Sequence, residues 1–426
     1  MWPLIAAPAQ NALTRRVRER FHWSSDDLSL DARSGHPGTL VRASSGTITD
    51  RWGNVLTVGT NVPRWSIVPG SFGANNPQLA LVLERAATNK VIRSNDLANS
   101  AWVASGTPIR TANAKVYGDL SLTRLEDNST GAVEYVYDAV TEGATYATLS
   151  AYVSRGTNPA ASGTTLRVRS TTGPTTRGGV LLQWNDDVPY VTSLSGADVG
   201  IVQVGPDLWR IWAIIATGIV TTQTNQVEVH PVTTSSQVGD VYIGGVQYED
   251  GRAPTSLIIT NGSTASRSAD QLTWDVSAGV GALAWPDAFT ALLECARPPE
   301  YGYAGAVDVA GGVTLYGNAR IARDTTARNW IAYPTTTMSG GASDAWRADD
   351  PQRVVAQFAG YRAGGRRARI DVGDGFTGWT SETAGVVAPG STIAAYADST
   401  NASDLWLRRL VVLAGGHDYD DLRRYW

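Results

Sequence analysis

Short apolar runs closed by Gly, Ser, Thr, Asn or Asp follow one another through most of this chain, and they constrain its fold more than any other feature. Residues 120–126, 133–137, 147–153, 165–169, 180–184, 208–215, 226–230 and 240–247 each read as a strand. They are short, rich in Val, Ile, Thr and aromatic residues, and bounded by turn formers, which favours strands over helices. The 44 glycines supply the turns such a chain needs. The spacing and turn density predict an all-β protein whose central part is an antiparallel two-sheet jelly roll.

Composition narrows the function classes. A chain of 426 residues has room for two or three domains with adequate cores. The net charge of -4 is too balanced for a nucleic-acid-binding protein. No apolar stretch approaches the roughly 18 residues of a membrane span, so none is expected. The first residues lack the basic start and apolar run of a signal peptide. Cys295 is the one cysteine, which excludes an intramolecular disulfide and a cysteine-rich metal site; its apolar run predicts a buried thiol. Only Lys90 and Lys115 are lysines. Arginine carries the remaining positive charge, which fits either genome composition or a preference for anionic partners.

Catalytic patterns are sparse. His22, His36, His230 and His417 are scattered and make no paired metal motif. Neither a nucleophile elbow nor a phosphate-binding loop occurs. Glycoside hydrolysis needs two acids at a set separation. Glu134 with Asp138, and Glu249 with Asp250, are the candidate carboxylates at strand positions, without an alternating acid pattern on one strand. A non-enzymatic role is expected.

Two ordered sets of residues carry a resemblance. One opens with 79–89, Leu-Ala-Leu-Val-Leu-Glu-Arg-Ala-Ala-Thr-Asn, followed by Ser94, Asn95, Asp96, Leu97 and Trp102. The other closes with 241–251, Val-Tyr-Ile-Gly-Gly-Val-Gln-Tyr-Glu-Asp-Gly, then Ala253-Pro254-Thr255-Ser256 and Arg267-Ser268-Ala269-Asp270. Pro206-Asp207-Leu208-Trp209-Arg210-Ile211 stands between them, and Thr145 to Ser154 matches a further strand. Together they resemble the carbohydrate-binding-module-like sandwich of bacteriophage fibres and other virion appendages. The lead-in from Val41 to Asp50, with Gly53-Asn54 and Asn61 to Trp65, resembles the same family and reads as a hairpin turning at 51–55. The run 404–413, followed by Gly415 to Leu422, is similar to the closing strand and short helix of concanavalin or laminin-G-like jelly rolls, with Asp418 as a helix cap.

The expected organisation is therefore an anchor at 1–27, a lead-in at 28–78, the carbohydrate-binding-module-like jelly roll at 79–275 and the laminin-G-like jelly roll at 276–426. Residues 11–21 could form a helix with Leu13, Val17 and Phe21 on one face. Fastening to other virion proteins, self-association and membrane-surface contact all remain open for it.

The resemblance implies a fibre, tail-tip or head-spike protein of a phage or gene-transfer-agent-like particle that binds host surface polysaccharide and acts in the virion as a homotrimer. A bracing protein without a ligand and a glycan depolymerase are the alternatives. Sugar contact calls for exposed aromatic faces with polar neighbours. Trp184 with Asp186 and Asp187, then Trp330, Trp346 and Trp379, and the basic pair Arg366 and Arg367 are the candidates. Trp102, Trp209, Trp212 and Trp406 read as core. No cofactor is required, although Asn95, Asp96, Glu249 and Asp250 could hold a structural Ca²⁺ if the ends of the central jelly roll meet.

Overall fold

The computed structural model describes residues 19–68, 71–72, 78–141, 143–144, 146–157, 163–171, 175–215 and 224–275, and in the C-terminal third the strands within 289–296, 309–314, 320–324, 329–333, 342–345, 352–359, 367–371, 392–396 and 405–414. Among these residues the chain is all-β, with antiparallel sheets in a sandwich-like arrangement and one short 3-10 turn at Ser25–Asp27.

Two pairs of sheets each enclose a core. In the central pair, one sheet orders its strands Val188–Leu194, Thr176–Asn185, Thr164–Ser170, Thr224–His230, Tyr135–Thr141 and Val103–Ser105. The facing sheet orders Asp198–Gly205, Leu208–Ile215, Ala147–Ser154, Gly239–Asp250, Leu120–Asp127 and Ile109–Tyr117. Alternate residues point inward, as the two-residue period of a strand demands. Val136, Val140, Leu166, Val168, Val227 and Val229 from the first sheet meet Leu125, Leu149, Val153, Ile211 and Ile243 from the second.

The second pair is built from both ends of the chain. Leu405–Ala414 and Phe289–Ala296 form the middle of one sheet. Its free side is taken by Glu19–Ser24 beside 409–413 and by Leu79–Leu83 beside 405–407. In the opposing sheet Gly38–Val41 pairs with Gln271–Asp275, which pairs with Thr392–Tyr396. Phe21, Trp23, Leu81, Trp274, Phe289, Phe358 and Ile393 share the core between them. Each such large side chain contributes roughly 1.5–3 kcal/mol by leaving water. The central sheets are thus inserted between Leu79–Leu83 and Gln271–Asp275. Segments expected as anchor and lead-in supply strands to the same sheets as the C-terminal third.

The expected helix at 11–21 meets a different outcome where it can be seen. Residues 11–18 lie outside the described residues, but Glu19 to Phe21 open a strand. Phe21 and Trp23 are both fully buried with one residue between them, a spacing that brings two side chains to one face only in a strand. The lead-in hairpin forms as expected, Gly46–Thr49 against Val55–Val58. Its turn is held by the Asp50 carboxylate, which accepts from the Trp52 and Asn54 amides at 2.9 and 2.8 Å, and Gly53 there adopts φ +86°. Cys295 is buried in the strand that carries it. Asp418 and the closing helix lie outside the described residues.

Candidate functional site

The two ends of the motif-bearing region come together, but inside the protein. Glu84 follows directly on Leu79–Leu83 and is 1% exposed. Its carboxylate accepts from the Ser256 amide and hydroxyl, both at 2.6 Å, and pairs with Arg267 at 2.8 Å and with Arg64. Asp270 pairs with Arg64 and with Arg42 at 3.1 Å, and accepts from the Glu84 amide at 2.8 Å. Burial alone would raise the Glu84 carboxyl, but the Arg267 and Arg64 guanidiniums override it and hold it well below the usual carboxylate range. Arg64 is raised in turn: desolvation works against it and the Glu84 and Asp270 charges win. A second knot lies alongside. Glu249 takes Arg85 at 3.2 Å, the Thr255 amide at 2.8 Å and Gln247 Nε2 at 2.7 Å. Paired, hydrogen-bonded and closed to water, these residues are the fastening between the two sheet pairs.

That arrangement separates the expected calcium ligands. Both Glu249 oxygens are engaged by Thr255, Gln247 and Arg85. Asp250 pairs with Lys90 at 2.6 Å, and Asn95 Nδ2 donates to the Asp119 carbonyl at 2.9 Å. Asn95 Oδ1 and Asp96 Oδ1 are buried without a hydrogen-bond partner. Among the described residues no set of three carboxylate, imidazole or thiol ligands gathers around them. The residues present do not fit a Ca²⁺ cage, which needs six to eight oxygens.

Of the expected sugar-contact residues, one is turned into the core. Trp184 does not face solvent: it is 3% exposed and packs edge-on against Trp209, with ring centroids 5.3 Å apart. Strand parity explains this, because Trp184 shares its face with Val180 and Leu182 in the core. Asp186 and Asp187 make the exposed turn after it, with Asp186 at φ 52° and Asp187 paired with Arg155. Trp330 lies in the strand Asn329–Tyr333 opposite Arg323 and Asp344, and Arg367 opens the strand Arg367–Asp371 opposite Ala359. Trp346, Trp379 and Arg366 lie outside the described residues.

Among the described residues, the outer face of the first central sheet is the more exposed of the two outer faces in the central pair, with Tyr135, Tyr137, Arg167 and Arg169 half-buried. The outer face of its partner is covered, because Val55 of the hairpin and Leu257 pack on Leu120, Leu122, Tyr152 and Leu208. On the more exposed face Tyr137, Glu228, Arg167 and Gly179 stand side by side on four strands. At ordinary strand spacing that row is about 14 Å long, enough for an oligosaccharide rather than one sugar. A second row carries Tyr135, His230, Thr165 and Leu181. Arg169, Gln226 and Gln183 extend the polar surface on the same parity. We call this surface the platform.

Its centre is a buried carboxylate beside the partly exposed Arg167 and Arg169 and the buried His230. Glu228 Oε2 accepts from Arg167 Nε at 2.7 Å and meets His230 Nε2 at 2.9 Å. Arg169 lies 3.5 Å from Oε1, which is buried and accepts no hydrogen bond. Burial would raise Glu228, but the hydrogen bonds from His230 and Arg167 outweigh it and hold the carboxyl below its ordinary value. Burial lowers His230 despite the Glu228 bond. A neutral ring bonded to a carboxylate through Nε2 carries its proton there. Tyr135 stacks on that ring at 4.2 Å, and Tyr137 tilts against Tyr135 at 6.3 Å. The platform therefore offers aromatic faces and guanidinium donors around a buried carboxylate. Asp138, on the Tyr135–Thr141 strand, instead accepts from the Ile92 amide and is 4% exposed. Glu134 accepts from the Thr107 amide at 2.8 Å. Neither shares the platform's centre with Glu228.

Residue type alone did not single out Tyr135, Tyr137, Arg167, Arg169, Glu228 and His230. The available signal was the alternation of charged and aromatic residues with apolar ones in 135–141, 165–169 and 226–230. Compared with known protein families and with curated proteins, the chain matches none.

Proposed function

We propose that this chain is a non-enzymatic adhesin of a phage or phage-like particle and that it binds host surface polysaccharide through the platform. The carrying observation is the more exposed sheet face on which Tyr135 and Tyr137 flank Glu228, Arg167 and Arg169. Tyrosine faces pack on sugar rings while the guanidiniums bond hydroxyls or acidic substituents. The ordered motifs from Leu79 to Asp270 support the virion reading, and the buried fastening is what a load-bearing appendage of two sandwiches needs. Several copies on one particle would turn weak single sites into firm attachment.

The test is binding of the full chain to a panel of bacterial capsular and surface polysaccharides, with analysis of the supernatant for released oligosaccharide. Saturable binding without release is the expected result. Release of fragments would make the protein a depolymerase. A correctly folded chain that binds nothing would favour the bracing role, for which exposed Trp52, Val116 and Val188 offer contact surface.

A further inference from the structure

A cleft separates the two sheet pairs beside the buried fastening. It leaves about 50 Å³ open to the centres of water-sized molecules, several times the roughly 10–15 Å³ that one water needs. Val82 and Trp406 approach from the terminal sheets, Tyr152, Val204 and Trp212 from the central ones, and Ile48 from the hairpin. The lining is apolar because the cleft lies between outer faces that the hairpin covers only in part. Trp406, unlike its neighbour Leu407, points away from the terminal core, and it is half-buried.

The polar end has one sign of charge in excess. Arg210 lines the cleft, donates to Ser150 Oγ at 3.1 Å and sits 5.3 Å over the Tyr152 ring. Glu84 and Ser256 form the adjoining wall. Behind that wall the guanidiniums of Arg42, Arg64 and Arg267 face the carboxylates of Glu84 and Asp270, three against two. Arg210 adds a further positive charge. Excess positive charge in a poorly solvated region favours an incoming anion.

We infer that the cleft binds a small amphipathic carboxylate: an aromatic or aliphatic body seated among Trp406, Trp212 and Tyr152, with its carboxylate at Arg210. The site is distinct from the platform, which lies on the opposite sheet of the central pair, and its occupancy does not depend on sugar binding.

The test uses the full-length protein and a fluorescent probe, anilinonaphthalene sulfonate, displaced by phenylbutyrate or by its neutral counterpart phenylbutanol. Saturable one-to-one probe binding is expected, with phenylbutyrate displacing it at about tenfold lower concentration than the alcohol. That ratio is the order expected for one hydrogen-bonded charge contact. Arg210→Gln should remove the preference while leaving displacement by the alcohol intact. Ile48→Trp, or Thr49→Trp beside it, should fill the cleft and abolish probe binding at unchanged circular dichroism. Equal displacement by acid and alcohol would overturn the inference, as would probe binding that persists in a folded cleft-filling variant, or no saturable binding to the wild type.

Discussion

Replacing Glu84 by Gln removes a charge that the structure surrounds completely. The carboxylate takes two guanidiniums and both the amide and hydroxyl of Ser256. Glutamine keeps one acceptor oxygen, which can still serve the Ser256 amide, but it removes the ion pair to Arg267 and leaves Arg64 paired with Asp270. Breaking a buried pair by removing one partner costs about 3–5 kcal/mol. Local opening would then rise by roughly two to almost four orders of magnitude. Hydrogen exchange reads this directly, because the Ser256 amide donates to Glu84 and the Glu84 amide to Asp270. Both should lose protection in the variant while amides in 147–153 and 208–215 keep theirs. Acid should act like the substitution, but late. The folded Glu84 value is the depressed one, so its stabilisation is fully present above the ordinary carboxylate value of about 4.3 and is lost only as pH falls towards the much lower folded value. A loss under about 1 kcal/mol would refute the reasoning, since only exposed pairs are worth so little.

Tyr137→Ala should weaken polysaccharide binding about tenfold, as expected for a stacking aromatic, with the melting temperature little changed; equilibrium binding and calorimetry check both. Trp184→Ala should do the reverse, costing about 3–5 kcal/mol in urea unfolding as a buried aromatic while binding persists wherever the variant is folded. His230 is held below the ordinary imidazole value by burial, so the unfolded chain takes up its proton first. The stability of the central sheets should fall as pH drops below about 6.5, and His230→Gln should flatten that slope in urea midpoints measured across the range.

The sequence was most readable where strands alternate over a core. The expected 208–215 matches the observed strand Leu208–Ile215, and most other central strands differ from expectation by a few residues at their ends. Ile109–Tyr117, Val188–Leu194 and Asp198–Gly205 escaped because they are sheet-edge strands with few or no buried residues, so no sharp inward alternation marks them. Trp184 misled because its neighbours Asn185, Asp186 and Asp187 mark a turn, whereas parity with Val180 and Leu182 decides which way the ring points. The pairing of Glu19–Ser24 with the last strand joins residues nearly four hundred positions apart, and no local pattern announces such a contact. The resemblance placed the motifs at 79–89 and 241–270 at the two ends of one sandwich; only the fold showed that they meet in a buried ion network.

The most direct measurement is a hydrogen-exchange footprint of the full chain with and without a polysaccharide that it binds. The account predicts added protection in Tyr135–Thr141, Thr164–Ser170 and Thr224–His230, the three strands bearing the platform's centre, and none at the junction around Ser256. Protection confined to the turn at Asp186 and Asp187, or to the C-terminal sheets, would contradict it.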